Sequence, residues 1–250
     1  MALKLQPARG WRTFAGEVGV IVLGVFLALG AQQVAEAVNH RSEAAETRAS
    51  LVREIRESLG TLELRRAAQP CIDHRLKELR GLVDEWGRTG NFTTPRWVSQ
   101  ATWFGIGTQR FDAAESAGRI ALLSGEDQYR LGFIHGGLVT FRTVQDREGE
   151  AWGTLRMLQA GADALSATDR TAVRVALQQA STLNYYMKIR TGQTLEQAAT
   201  YGWLPDMRRS RETMKLAWKD GQFKPSVCLP IDTPAEAANR EANQRYDLPE

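Results

Sequence analysis

The chain has 250 residues, of which 43% are hydrophobic and 24% are charged, which is enough for one ordinary core together with an anchor and tails. Its formal net charge of +3 arises from residues 1–16, which hold Lys4, Arg9 and Arg12 and no acid. The rest of the chain has 29 of the 32 basic residues, which equals its number of acidic residues, 29. A nucleic-acid partner is excluded, because such a protein should carry a basic face on its folded domain.

The first predicted element is a transmembrane helix at residues 17–35. Residues 18–31 carry no charged or strongly polar side chain, and the apolar stretch is long enough to cross a hydrocarbon core of about 30 Å. Three basic residues precede it, whereas only Arg41 follows closely, so the positive-inside rule places residues 1–16 in the cytoplasm as a short basic tail. The sequence therefore predicts a signal-anchored, single-pass protein of the bacterial inner membrane with a periplasmic domain.

A cleavable signal peptide is the competing interpretation, since Ala28-Leu29-Gly30 offers small residues to a signal peptidase. The long polar segment before the apolar run, the acid Glu17 beside it and the helical pattern that continues past the site favour the anchor.

Glu17 is the acid at the start of the span. At 100° per residue, one helix face carries Glu17, Gly24, Ala28, Ala31 and Ala35. Small residues let transmembrane helices approach closely, so this face is the predicted membrane-helix interface. The alternative is that Glu17 simply lies among the lipid headgroups, where a carboxylate is tolerated.

A stalk helix is predicted for residues 36–67. Val38, Ala45, Val52 and Leu59 recur every seven residues, as in a coiled coil. The neighbouring row contains Arg41 and Arg48, which a strong coiled coil would not bury. We therefore expect the stalk to join the domain core only in its outer half.

A helical bundle domain is predicted for residues 68–220. After Gln69-Pro70, apolar residues spaced by four and three predict a second helix that ends at Gly87 and returns antiparallel onto the stalk. Residues 87–110 are predicted to be mostly loop, and residues 111–123 a short helix.

Two long helices should follow, opened by capping boxes at Ser124/Asp127 and Ser166/Asp169. Shorter helices are expected near 194–203 and 206–219, and residues 221–250 should form a C-terminal strap and tail. The predicted fold class is all-α: a transmembrane helix that continues into a stalk, then an antiparallel helical bundle.

Cys71 and Cys228 are the only cysteines. In an oxidising compartment they would form one disulfide that ties the strap to the helical body. Two buried thiols are the alternative.

No metal or cofactor site is predicted. The three histidines, His40, His74 and His135, lack the convergent donors that a zinc site needs. Ser116 and Ser124 do not lie in a nucleophile elbow and are interpreted as helix-end hydroxyls.

Other polar and aromatic clusters are interpreted as structural. Asp112 and Glu115 lie one turn apart, and Arg119 is placed for an ion pair with Glu115. The pair Tyr185-Tyr186 could line a pocket between helices, but aromatic residues at helical spacing are more often part of the core, which is where we expect the pair.

Two segments carry a family resemblance. Gly16-Glu17-Val18-Gly19-Val20-Ile21-Val22-Leu23-Gly24-Val25, after a short basic tail, and Phe111-Asp112-Ala113-Ala114-Glu115-Ser116-Ala117-Gly118-Arg119-Ile120 resemble uncharacterised bacterial single-pass envelope proteins with a helical exported domain. The resemblance implies topology and no particular activity.

The expected function is that of a non-enzymatic envelope protein whose partners are the lipid bilayer and either a second copy or another membrane protein, bound through its transmembrane helix. Alternatives are an accessory subunit of an ion-driven complex with Glu17 as its functional carboxylate, and a helical-bundle sensor for a small ligand.

Overall fold

The computed structural model is helical apart from one small hairpin and describes residues 11–99, 104–213, 218–219, 222–223, 225–234 and 236–238. The helices are α1 (Trp11–Thr89), α2 (Gln109–Ser116), α3 (Gly125–Leu155), α4 (Ala167–Thr200) and α5 (Met207–Thr213). Strands β1 (Trp218–Lys219) and β2 (Gln222–Phe223) pair antiparallel. The all-helical fold and the long apolar N-terminal helix are confirmed. Residues 1–10 of the predicted tail, which include Lys4 and Arg9, lie outside the described residues.

Helix α1 continues through Pro70, so the predicted turn at Gln69-Pro70 and the second helix returning onto the stalk are wrong. The reason is an unbroken stripe of buried residues at alternating spacings of four and three, which keeps its phase across the proline. Pro70 itself is exposed. The stripe consists of Leu51, Ile55, Ser58, Leu62, Arg65, Gln69, Ile72, Leu76, Leu79, Val83 and Trp86.

Helices α3 and α4 pack against each other and against the second half of α1. Both begin at the predicted serine caps: Ser124 accepts a hydrogen bond from the Asp127 amide, and Ser166 and Asp169 form a full capping box. Gly137 permits close packing, since a Cβ atom there would lie 2.9 Å from Oγ1 of Thr194.

Other predicted boundaries differ from the structure. The helix expected at 111–123 is interrupted at Gly118, whose φ of 71° is unfavourable for side-chain-bearing residues, and a 3-10 turn, Arg119–Leu122, follows. The stretch expected near 194–203 is mainly the end of α4. Of the helix expected at 206–219, α5 covers the start, but Trp218–Lys219 is a strand.

Candidate functional site

The apolar part of α1 stands apart from the rest of the described chain. Every residue from Phe14 to Glu43 is exposed, a free length of about 45 Å at 1.5 Å per residue. The mean hydropathy reaches 2.1 in an 18-residue window of this helix, and none of that window is buried. In the described part of the chain, this is the one helix long and apolar enough to cross a membrane.

The five residues of the predicted interface lie on this exposed segment. The helix is continuous from Trp11, so Glu17, Gly24, Ala28, Ala31 and Ala35 share one face of it. Gly24 has open space where a Cβ would stand. The structure therefore presents the predicted face unobstructed.

The folded domain begins where α1 first meets α3. Arg48 donates a hydrogen bond of 2.8 Å from Nε to Oδ1 of Asp127. Burial raises the pKa of Asp127, but hydrogen bonds from Arg48 and Ser124 outweigh it, so the pKa lies below its usual value. One turn nearer the apolar segment, Arg119 pairs with Glu43 at 3.7 Å, rather than with Glu115 as expected.

A buried polar cluster joins α1, α3 and α4. Both guanidinium nitrogens Nη1 and Nη2 of Arg65 donate to the Glu148 carboxylate at 2.9 Å, and Nη2 also donates to Asn184. Gln69 donates to Asn184 and to Asp73, and Asn184 donates to Asp73 at 2.7 Å. Arg65 is fully buried and Glu148 almost so. Sequence analysis missed this cluster because its members look like solvated polar residues when each helix is considered alone.

A pocket of about 430 Å³ opens beside the cluster, between α1 and α4. It is lined by Arg65, Arg66, Gln69, Pro70, Asp73, Lys188, Thr191 and Gly192. At its mouth, Nζ of Lys188 lies 3.6 Å from Oδ2 of Asp73. Cationic, anionic and apolar groups thus meet in one concave surface.

A disulfide joins Cys71 of α1 to Cys228. Beside it, the buried Arg75 donates to the carbonyl oxygens of Trp97 and Leu229. The Trp97 indole donates to the Ser226 carbonyl at 3.2 Å. The strap predicted from residue 221 is therefore held against α1 and the loop after it by both covalent and hydrogen bonds.

A second buried acid, Glu54, caps α2 from outside. Its two carboxylate oxygens accept from the amides of Arg110 and Phe111 at 2.9 and 3.0 Å, which satisfies two of the helix's free N–H groups. The His135 ring stacks on the Phe111 ring, with 3.8 Å between the two ring centroids. Burial lowers the pKa of His135, although the nearby carboxylates, Asp112 first among them, oppose the shift.

The remaining candidates are two histidines and two serines. No group of three or more metal-donor side chains lies together among the described residues. His40 is exposed on α1, and Nε2 of His74 lies 3.4 Å from Glu78. The Ser116 hydroxyl donates to the Asp112 carbonyl, and Ser124 is a cap.

The tyrosine pair is placed differently from the expectation. Tyr185 and Tyr186 are 66% and 42% exposed, so the expected core position is wrong. They directly follow Asn184, which lies on the side of α4 that contacts the buried polar cluster.

Comparison of the chain with protein-family models, with curated proteins and with solved structures found no match. The resemblance to bacterial envelope proteins stays a prediction.

Proposed function

We propose that the protein is a non-enzymatic, membrane-anchored envelope component that presents a helical domain outside the cytoplasm. The observation that carries this proposal is the continuity of α1: one helix runs from an exposed apolar segment, residues 14–35, into the buried stripe that starts at Leu51. Hydrocarbon is the solvent in which such an uncovered apolar helix is stable.

The proposed topology places the N-terminus in the cytoplasm and the domain in the periplasm of a bacterial inner membrane. The basic residues before the span support this orientation. The Cys71–Cys228 disulfide supports an oxidising compartment for the domain. We propose an antiparallel bundle for the domain, supported by the pairing of Gly137 with Thr194 and the meeting of Glu148 and Asn184 at Arg65.

The proposed role of the span is association with a second copy or with another membrane protein. The face of Glu17, Gly24, Ala28, Ala31 and Ala35 supports this role, because small side chains let two helix backbones approach closely in lipid.

Topology is tested with protease added to spheroplasts that express the intact chain. We expect cleavage after residue 36 to occur from the outside and to leave the anchor in the membrane fraction. A soluble intact chain, or protection of the domain until the membrane is lysed, would contradict the proposal.

Association is tested in a membrane two-hybrid assay with Gly24→Leu, which should weaken self-association or partner capture. Gly19→Leu is the matched control, because it makes the same change about 140° away on the helix and Gly19 also has open space around it. Equal signals from wild type and Gly24→Leu would rule out this face.

A further inference from the structure

We infer that the pocket between α1 and α4 binds a small organic carboxylate with an apolar body. This inference goes beyond the anchoring role and does not depend on how the membrane segment associates. It gives the domain a ligand of stated chemistry, as a helical-bundle sensor would need.

The size and walls of the pocket suit such a ligand. A volume of about 430 Å³ lies in the range of sites for small organic molecules, which are mainly apolar with a few placed polar groups. The Pro70 ring supplies a rigid apolar wall. Gly192 keeps the opposite wall open, since a Cβ there would meet nothing within 4 Å.

Two cations and one acid determine the charge at the mouth of the pocket. Arg65 is neutralised by Glu148 behind the wall, so Arg66 and Lys188 are the cations and Asp73 is the acid among the remaining charged lining residues. Oδ1 of Asp73 already accepts hydrogen bonds from Gln69 and Asn184.

Lys188 is free to change partner. Its Nζ lies 3.6 Å from Asp73, beyond ordinary hydrogen-bond length, and its side chain is 59% exposed. Arg66 pairs with Glu63 through Nη2 at 2.6 Å, and its guanidinium has further donors. A ligand carboxylate between these two cations would form charge-assisted hydrogen bonds that the present contacts leave unmade.

Thr191, which lines the pocket, carries a buried hydroxyl. Thr191 is 2% exposed, and its Oγ1 has no hydrogen-bond partner among the described residues. Buried hydroxyls are nearly always hydrogen-bonded in folded proteins. A second polar atom on the ligand would satisfy it after a rotation of the threonine side chain.

The test uses the full-length protein in lipid nanodiscs and benzoate as the probe, with benzamide as an uncharged probe of the same shape. We expect benzoate, and not benzamide, to bind saturably in ligand-detected NMR and to raise the melting temperature. Nanodiscs without protein measure how much benzoate partitions into lipid, and this signal is subtracted from the signal with protein.

Two variants locate the binding. Gly192→Leu fills the pocket and should abolish benzoate binding, whereas Gly136→Leu, the same change at another exposed helical glycine with open space, should not. Lys188→Met removes an exposed cation and should weaken binding about tenfold. The inference is overturned if wild type fails to bind benzoate, if benzamide binds equally, or if Gly192→Leu binds as wild type does.

Discussion

Arg65 and Glu148 meet inside the domain through two parallel hydrogen bonds of 2.9 Å, and their side chains are 0% and 1% exposed. Taking two charges out of water is unfavourable, and their attraction offsets that cost only while both are present. Removing one partner is therefore expected to destabilise the domain far more than removing both.

Arg65→Met should destabilise the domain by about 3–5 kcal/mol, because the Glu148 carboxylate would remain buried without a counter-charge. The measurement is urea unfolding of the purified full-length protein in detergent micelles, followed by tryptophan fluorescence.

The double variant Arg65→Met/Glu148→Leu is the control for this prediction. It removes both charges, so its stability should return to within about 2 kcal/mol of wild type or exceed it. If the double variant is as unstable as Arg65→Met, the cost comes from lost packing and the electrostatic explanation is wrong.

Pro70→Ala should stabilise the domain by about 2 kcal/mol. Proline inside a helix destabilises it by about 3 kcal/mol. Alanine removes this cost, but it also increases the conformational entropy of the unfolded chain, which reduces the gain by about 0.4–1 kcal/mol. The same urea titration measures the change. A loss of stability would show that the exposed ring contributes contacts that outweigh the missing backbone hydrogen bond.

Arg65 and Pro70 explain why the sequence predicts two helices where the structure has the single helix α1. The buried stripe continues from Leu62 to Ile72, but its two intermediate positions are Arg65 and Gln69, which are polar, and Pro70 follows directly. Apolar periodicity detects a buried stripe only where apolar residues form it. Here the partners that make burial tolerable come from α3 and α4, more than 80 residues away.

Glu54→Ala should destabilise the domain by about 1–2 kcal/mol, because the first turn of α2 would lose two acceptors for its N–H groups. Glu46→Ala is the matched control, since Glu46 is an exposed acid on the same helix. Hydrogen exchange of the Arg110 and Phe111 amides should accelerate in Glu54→Ala alone. Unchanged exchange at these amides would contradict the capping role.

Cys228→Ser should lower the free energy of unfolding by about 4–5 kcal/mol, the chain-entropy value for a loop of the size closed by Cys71 and Cys228. Cys71→Ser should have the same effect, and the double variant should be no worse than either, since one bond is lost in each case. Wild type alone should migrate faster on a non-reducing gel. Additive losses in the double variant would contradict the bond.

The caps, the helical class and the exposed apolar segment were predictable because each is encoded within a few neighbouring residues, such as Ser166 and Asp169. The pocket was not predictable, since its walls combine Asp73 and Lys188 from helices far apart in the chain.

The domain should lose stability as the pH falls from about 7 to 5, and His135 should be the cause. Burial holds the pKa of folded His135 below 6.5, so the unfolded chain binds more protons in this window and acid favours unfolding. The carboxylates with lowered pKa values, Asp127 and Asp169, lose their contribution only near and below 3.8. His135→Gln should therefore flatten the stability profile between pH 7 and 5, measured by urea unfolding at each pH. His74→Gln, at an exposed histidine, should leave the slope intact; a slope that persists in His135→Gln would assign the effect to another group.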